Sequence, residues 1–385
     1  MRFGVKTARL LTEEHPYAII FSAWVLLQII IQKQYGIVTG FEATKYIVEA
    51  DALLETGNYS SGNFLFYSTQ ILLNALSKLT GTFPWLVVVF QVVINAVAVY
   101  FFYRLCLKFT GSIFRSVITT LVFLSMFYYH IYNFYLFTES IYFSLGILFS
   151  YFLFSINQIN ARNILLLFLF ISLVYFTRPL GVFFIPATIV YIILRFYKRK
   201  ALLLFSFLTL IGITALYFLL NFALNSGGEF DFLLPYLDER IICGVPTIEQ
   251  PHNLVLPVEK NSVEGLWYII TRHPDLFIRL AARRFFTFWG MTRPFYSTPH
   301  NIFIAVYFYT MYVLILWKVR LLFKNFLAET SYFLTIIFFI MVTVMLSCDE
   351  WHNRFILALL PFFLLMATAY TGSKNNKLDV NQPVE

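Results

Sequence analysis

Charge is what this sequence has least of. Only 12% of its 385 residues are Asp, Glu, Lys or Arg, against about 25% in an ordinary globular domain. So little polar surface cannot cover a water-soluble globule of this size, which excludes a soluble fold. Cysteine is scarce as well, with Cys106, Cys243 and Cys348. Cys243 and Cys348 fall on one predicted side of a membrane and could pair, but separate thiols are the expected state. A Gly-rich phosphate loop and an internal repeat are both missing. A cleavable leader is not expected either. The basic start at Arg2, Lys6 and Arg9 is followed by Glu13, Glu14, His15 and Pro16 before the first apolar run, and no small-residue cleavage site follows.

Long apolar runs are what the chain has in abundance. Residues 17–31, 85–102, 140–154, 201–222 and 355–370 are each largely free of charge, and 59% of the whole is hydrophobic. A helix needs about 20 such residues to cross the hydrocarbon core. The expected spans are 17–35, 83–103, 112–132, 138–156, 162–177, 180–195, 201–222, 301–317, 330–347 and 354–371. The predicted class is therefore an all-α polytopic membrane protein of about ten transmembrane helices. The fifth and sixth spans are short, and Pro179 between them predicts half-length helices or a tight hairpin.

Charge distribution orders these spans. With the N-terminus inside, 16 of the 28 basic residues fall in short cytoplasmic segments: Arg2, Lys6, Arg9, Arg104, Lys108, Arg115, Arg162, Arg195, Lys198, Arg199, Lys200, Lys318, Arg320, Lys324, Lys374 and Lys377. That bias is the positive-inside pattern. It accounts for most of the net charge of +8 and predicts no nucleic-acid partner. Both termini are expected in the cytoplasm. One transmembrane domain runs over 1–371, with outer loops 36–82 and 223–300, and a polar cytoplasmic tail over 372–385. Within the loops, 42–56 has helical spacing (Tyr46, Ile47, Ala50, Leu53, Leu54) and stops at Gly57-Asn58. Residues 63–80 are apolar but too polar to span comfortably. Residues 263–289 predict one or two surface helices carrying Trp267, Tyr268, Phe277, Phe285, Phe286 and Trp289 beside Arg272, Arg279, Arg283 and Arg284. The stretch 226–262 reads as a small irregular region.

Four outer-side places hold ionisable groups that need a reason to be near a bilayer. Glu42 follows the first span, with Lys45 beside it and Tyr46 one turn on. It suits a general base for a hydroxyl, or simply a carboxylate at a helix N-terminus. Glu49, Asp51 and Glu55 are rivals for that role. Glu139, after Thr138, opens the fourth span and admits the same two readings. Arg178, before Pro179, suits an anion clamp or a side chain snorkelling to the interface. Cys348-Asp349-Glu350-Trp351-His352-Asn353-Arg354 suits a substrate turn or a solvated loop. Its acids and His352 fit no strong metal-ligand spacing, so a divalent metal has no support in the pattern.

Taken in order, these pieces resemble the multi-spanning glycosyltransferases of the GT-C superfold. The nearest group is the branch with protein O-mannosyltransferases, aminoarabinose transferases and bacterial family 39-like enzymes. The shared features are a first-loop acid with a Tyr one turn on and an Ala-bearing helix ending at Gly (Glu42, Tyr46, Ala50, Gly57). Thr138-Glu139, Arg178-Pro179, a late loop from His273-Pro274 to Trp289, and a last helix with Arg354-Phe355 and Pro361 complete the set. The resemblance covers about residues 20–370. Its family acid is more often Asp, sometimes in an Asp-Glu pair, where this chain has Phe41-Glu42, and no large soluble domain follows the last span. The resemblance implies an inverting transfer of a sugar from a polyprenyl-phosphate carrier to a lipid, glycan or protein hydroxyl at the outer face of the membrane. Glu42 would be the base and Glu139 a second catalytic acid. Tyr46, Lys45, Arg178, Arg283, Arg284, Arg293, His352 and Arg354 would contact substrate, with the phosphate held by arginines. The Phe- and Tyr-rich makeup and short loops suggest a bacterial inner membrane, with the endoplasmic reticulum as the alternative. A transporter or flippase for an anionic or lipid-linked substrate is the alternative, and a non-catalytic scaffold a third.

Overall fold

A computed structural model of the protein describes residues 12–197, 233–255 and 262–370, with single positions between 203 and 224. The expected span 201–222 falls mostly outside these residues. So do Arg2, Lys6, Arg9, Lys198, Arg199, Lys200 and the tail 372–385. Among the described residues the fold is all-helical, with isolated bridges in place of strands. Five helices among the described residues are long and apolar enough to cross a membrane, or six if one bent pair is a single span.

The helices that matter below are α1 (Pro16–Tyr35), α2 (Glu42–Thr56), α3 (Ser68–Leu79), α4 (Trp85–Thr110), α5 (Ile113–Ser125), α6 (Glu139–Ser155), α7 (Ala161–Tyr175) and α8 (Phe184–Phe196). Then come α9 (Val263–Arg272), α10 (Pro274–Gly290), α11 (Thr298–Trp317), α12 (Leu327–Leu346) and α13 (Leu360–Thr368). Each expected span within the described residues falls on helix, yet ten full crossings do not follow. The third expected span breaks by 72° between α5 and Phe127–Asn133. α6 and α7 have 17 and 15 residues, or roughly 25 Å and less at 1.5 Å per residue. The last expected span divides into Arg354–Leu357 and α13.

The described residues fall into two compact units. The first takes in 1–182, 311–330 and the chain from 358 onward. Here α4 packs against α5, α6 and α13, and α2 packs against α3. Its burial is inverted relative to a soluble protein. α1 turns Phe21 and Leu26 outward, while Trp24 and Gln28 are buried. Trp24 Nε1 donates to Asn95 at 3.0 Å, and Asn133 donates to Gln28 at 2.9 Å. Polar groups inside and apolar groups outside are what a lipid surround requires.

Within this unit, helix ends that the basic-residue pattern assigns to one side do meet. Lys108 pairs with Glu329 at 3.2 Å and donates to the Phe154 carbonyl. Arg115 lies 3.6 Å over the Tyr370 ring, and Lys318 donates to the Ala367 carbonyl at 2.7 Å.

The second unit holds 183–310 and 331–357. It contains a small apolar core of Leu233, Tyr236, Ile241, Ile269, Leu276 and Leu280, built on the segment 233–241, α9 and α10. The stretch 263–289, expected as one or two helices, is therefore two, broken at His273-Pro274 because proline starts α10. One expectation fails here. Cys243 and Cys348 are joined in a disulfide with their Cα atoms 5.2 Å apart. They are brought together by backbone pairing that sequence separation hid: Cys243 N donates to Asp349 O, and Asp349 N to Ile241 O, both at 2.8 Å.

Candidate functional site

Three distant pieces of chain meet in the first unit. The link after α1 pairs with the link before α6. Val38 N donates to Phe134 O at 2.9 Å, and Leu136 N donates to Val38 O at 3.1 Å. Gln91 of α4 fastens the same link by donating to the carbonyls of Tyr135 and Phe137, both at 3.0 Å. This tie starts α2 beside Thr138-Glu139. The third piece arrives where α7 ends, because Thr69 N donates to Phe176 O at 3.1 Å, which sets Arg178 next to α3.

α2 begins under strain. Phe41 sits at φ 56° and ψ −128°, a conformation suited to glycine in a tight turn. The residue is 87% exposed. The helix then ends as its sequence directs, with Gly57 left-handed at φ 74°. Glu42 lies in the first turn and is partly exposed. Its Oε1 accepts from the Tyr46 hydroxyl at 2.8 Å and lies 2.9 Å from Lys45 Nζ. Lys45 also sits over the rings of Tyr46 and Tyr67, at 4.8 and 5.0 Å.

The rival acids are engaged otherwise. Glu49 is buried and accepts from Ser60 N and Oγ, each at 2.5 Å. Asp51 pairs with Lys78. Glu55 is exposed. Of the four acids on α2, Glu42 is therefore the one turned toward the meeting point.

Glu139 is fully buried and pairs with Arg178, itself buried. Thr138 bridges the pair, accepting from Arg178 at 3.2 Å and donating to Glu139 at 3.4 Å. The fully buried Tyr46 is the hinge between the two halves of the cluster. Burial above all, then the charges of Glu42 and Glu139, hold its phenol well above the ordinary tyrosine range, and Arg178 acts the other way. At neutral pH Tyr46 is thus a donor to Glu42. The arrangement offers a reachable carboxylate, held by a phenol and an ammonium, next to a guanidinium fixed by a second carboxylate.

The remaining expected contacts belong to the second unit. Arg284 is fully buried and donates to three backbone carbonyls, of Arg240 at 2.9 Å, Pro235 at 2.9 Å and Met345 at 3.2 Å. Arg293 pairs with Asp349 at 2.5 Å, both fully buried, and also reaches Thr287 O and Glu350 O. Both guanidinium groups thus brace backbone, and neither is presented to solvent as the expected phosphate contact would be. Arg283 is half-exposed, 4.0 Å from Glu239. Arg354 pairs with Glu350 at 2.6 Å, and His352 is exposed. No group of three His, Cys, Asp or Glu residues among the described residues is arranged to hold a metal. Sequence reasoning missed Tyr67, which packs 5.4 Å from Tyr46, and the inner face of α3. The signal for the latter was present as Gln70, Asn74 and Ser77 at helical spacing.

Comparison with protein families, curated proteins and solved structures returns no match to this chain.

Proposed function

We propose that the protein is an inverting glycosyltransferase moving a sugar from a polyprenyl-phosphate carrier to an acceptor hydroxyl, with Glu42 as general base. The observation that carries this reading is the convergence of Glu42, Tyr46, Glu139 and Arg178 from three separate chain segments. Glu42 would take the acceptor proton as its oxygen attacks the anomeric carbon opposite the phosphate. The phosphate leaves with its charge neutralised rather than protonated, which is work for fixed cations. Arg178 and Lys45 are the cations of the cluster, and Glu139 holds Arg178 in place. The GT-C resemblance supports the same reading. Sidedness is part of the proposal. A disulfide between Cys243 and Cys348 suits an oxidising compartment, in keeping with loop 223–300 outside, and a bacterial inner membrane suits the aromatic-rich spans with short loops.

Glu42→Ala, assayed in membranes with a panel of polyprenyl-phosphate sugars, should abolish transfer while leaving expression and melting temperature unchanged. Activity within a few-fold of wild type would remove Glu42 from the role of base. A transporter is the second reading, favoured by the 72° break after α5, since transporters use interrupted helices at their sites. Movement of the carrier lipid across vesicles by the purified protein, with no sugar transferred, would select it.

A further inference from the structure

The helix α3 is inside out. Leu72, Leu76 and Leu79 face outward, 52%, 50% and 71% exposed, whereas Gln70, Asn74 and Ser77 are fully buried. The polar three lie at i, i+4 and i+7, a single stripe of one helix face. Both amide atoms of Gln70, both of Asn74 and the Ser77 hydroxyl have no hydrogen-bond partner among the described residues. Native proteins leave few such groups unmet, because each forfeits its bonds to water and gains nothing in return. Polar residues turned inward behind outward leucines mark an interior that handles polar matter.

The helix is fastened at its two ends and not along this stripe. At the start, Thr69 donates to Phe176 O through N and Oγ1, at 3.1 and 3.3 Å, and accepts from Thr177 Oγ1 at 3.0 Å. At the far end, Lys78 reaches Ile47 O at 3.3 Å and pairs with Asp51. The first fastening lies one residue from Arg178, and Tyr67, three residues before Gln70, packs on Tyr46. The stripe thus begins at the cluster described above.

The row presents amide and hydroxyl donors and acceptors with no formal charge. Phosphate recognition calls for Arg or Lys, whereas neutral groups of this kind match the hydroxyls of a sugar ring. We propose that the inner face of α3 is a binding site for a neutral sugar ring, with Gln70, Asn74 and Ser77 supplying its hydrogen bonds. Its assignment to the transferred sugar rests on the glycosyltransferase reading.

The test uses the full chain in membrane vesicles, carrying Asn74→Cys in a Cys106→Ser background. The introduced thiol should react with a small neutral thiol reagent. Saturating methyl glycosides of glucose, mannose, galactose or arabinose should slow that reaction by about tenfold for at least one sugar, the protection expected when a bound ligand covers roughly nine-tenths of the sites. Inorganic phosphate should not slow it. Ser77→Cys serves in the same way if the first variant fails to fold. A thiol that stays unreactive while a Glu55→Cys control is labelled would overturn the proposal. So would labelling that none of the glycosides slows, the result expected of a row that holds only buried water. Protection without transfer from any polyprenyl-phosphate sugar keeps the binding site and discards the transferase reading. Transfer without protection discards this site alone.

Discussion

The two units bury charge for different ends. In the first, Glu139 and Arg178 form a buried pair whose field reaches the phenol of Tyr46, and Tyr46 in turn holds the partly exposed Glu42. In the second, Arg293 and Asp349 are just as buried, but their surroundings are backbone carbonyls and a disulfide. Arg284 repeats that theme with three carbonyls and no carboxylate. Buried charge alone therefore does not mark a site of chemistry. What sets the first unit apart is that its chain of charges runs through a buried phenol to a partly exposed carboxylate, Glu42, at a helix start.

The sharpest way to break this comparison is to remove one partner from each pair. Arg178→Ala leaves Glu139 buried and alone, and Arg293→Ala does the same to Asp349. Each should cost about 3–5 kcal/mol of stability, read as loss of folded protein on heating in detergent. The units should then diverge on double replacement. Glu139→Leu with Arg178→Leu should recover most of the stability and none of the transfer. Arg293→Leu with Asp349→Leu should recover both. Transfer surviving the first double replacement would make that pair architecture as well.

The disulfide comes next. It closes a separation of 105 residues, a loop for which chain entropy gives about 4–5 kcal/mol, with measured values commonly about 2–4. Cys243→Ser should lower Tm accordingly in non-reducing buffer. The loss should be the same for Cys348→Ser and for both together, and Cys106→Ser should behave unlike either.

A smaller effect concerns pH. Glu239 is buried beside His252 at 2.7 Å and Arg279 at 2.6 Å. Burial raises its carboxyl, but the His252 bond and the Arg279 charge outweigh that, so it titrates below the ordinary value. A carboxylate depressed by folding stabilises the fold above its unfolded pKa of about 4.3. That contribution is lost as pH falls through the lower folded value. Tm should therefore drop more steeply below about pH 4.3 in wild type than in Glu239→Gln. Equal slopes would show that this cluster adds nothing.

Much of the first unit was legible because hydropathy and helix stops are local. The bounds of α1 and the start of α4 follow from apolar length, although α4 runs on to Thr110 past its expected end at 103, and Gly57 marks the end of α2. Glu42, Tyr46, Glu139 and Arg178 were singled out because ionisable groups are rare in such a chain. What sequence could not give was partnership. Glu49 and Asp51 looked as suitable as Glu42 until Ser60 and Lys78 claimed them, and both contacts depend on how α2 and its following loop fold back. Cys243 and Cys348 pair because a backbone ladder joins 241–243 to 349, which no local signal announces. The count of about ten spans is not confirmed for a different reason. Apolar character measures where a helix prefers lipid, and it does not register a break such as the one after Ser125.

The smallest predicted effect bears on how Glu42 is aimed. Phe41 holds a glycine-like turn one residue ahead of it, at a cost of order 1–3 kcal/mol, while its exposed ring adds little packing. Phe41→Gly should relieve that strain but also loosens the unfolded chain, so the net gain is expected to be about 1 kcal/mol. Phe41→Ala keeps the strain and removes the ring. A higher Tm for Phe41→Gly than for Phe41→Ala isolates the backbone term from the side chain. If transfer falls with Phe41→Gly and survives Phe41→Ala, the turn fixes the direction of the Glu42 carboxylate, and the strain belongs to the working state of the first unit. If both variants transfer equally well, Glu42 is aimed by Tyr46 and Lys45 alone.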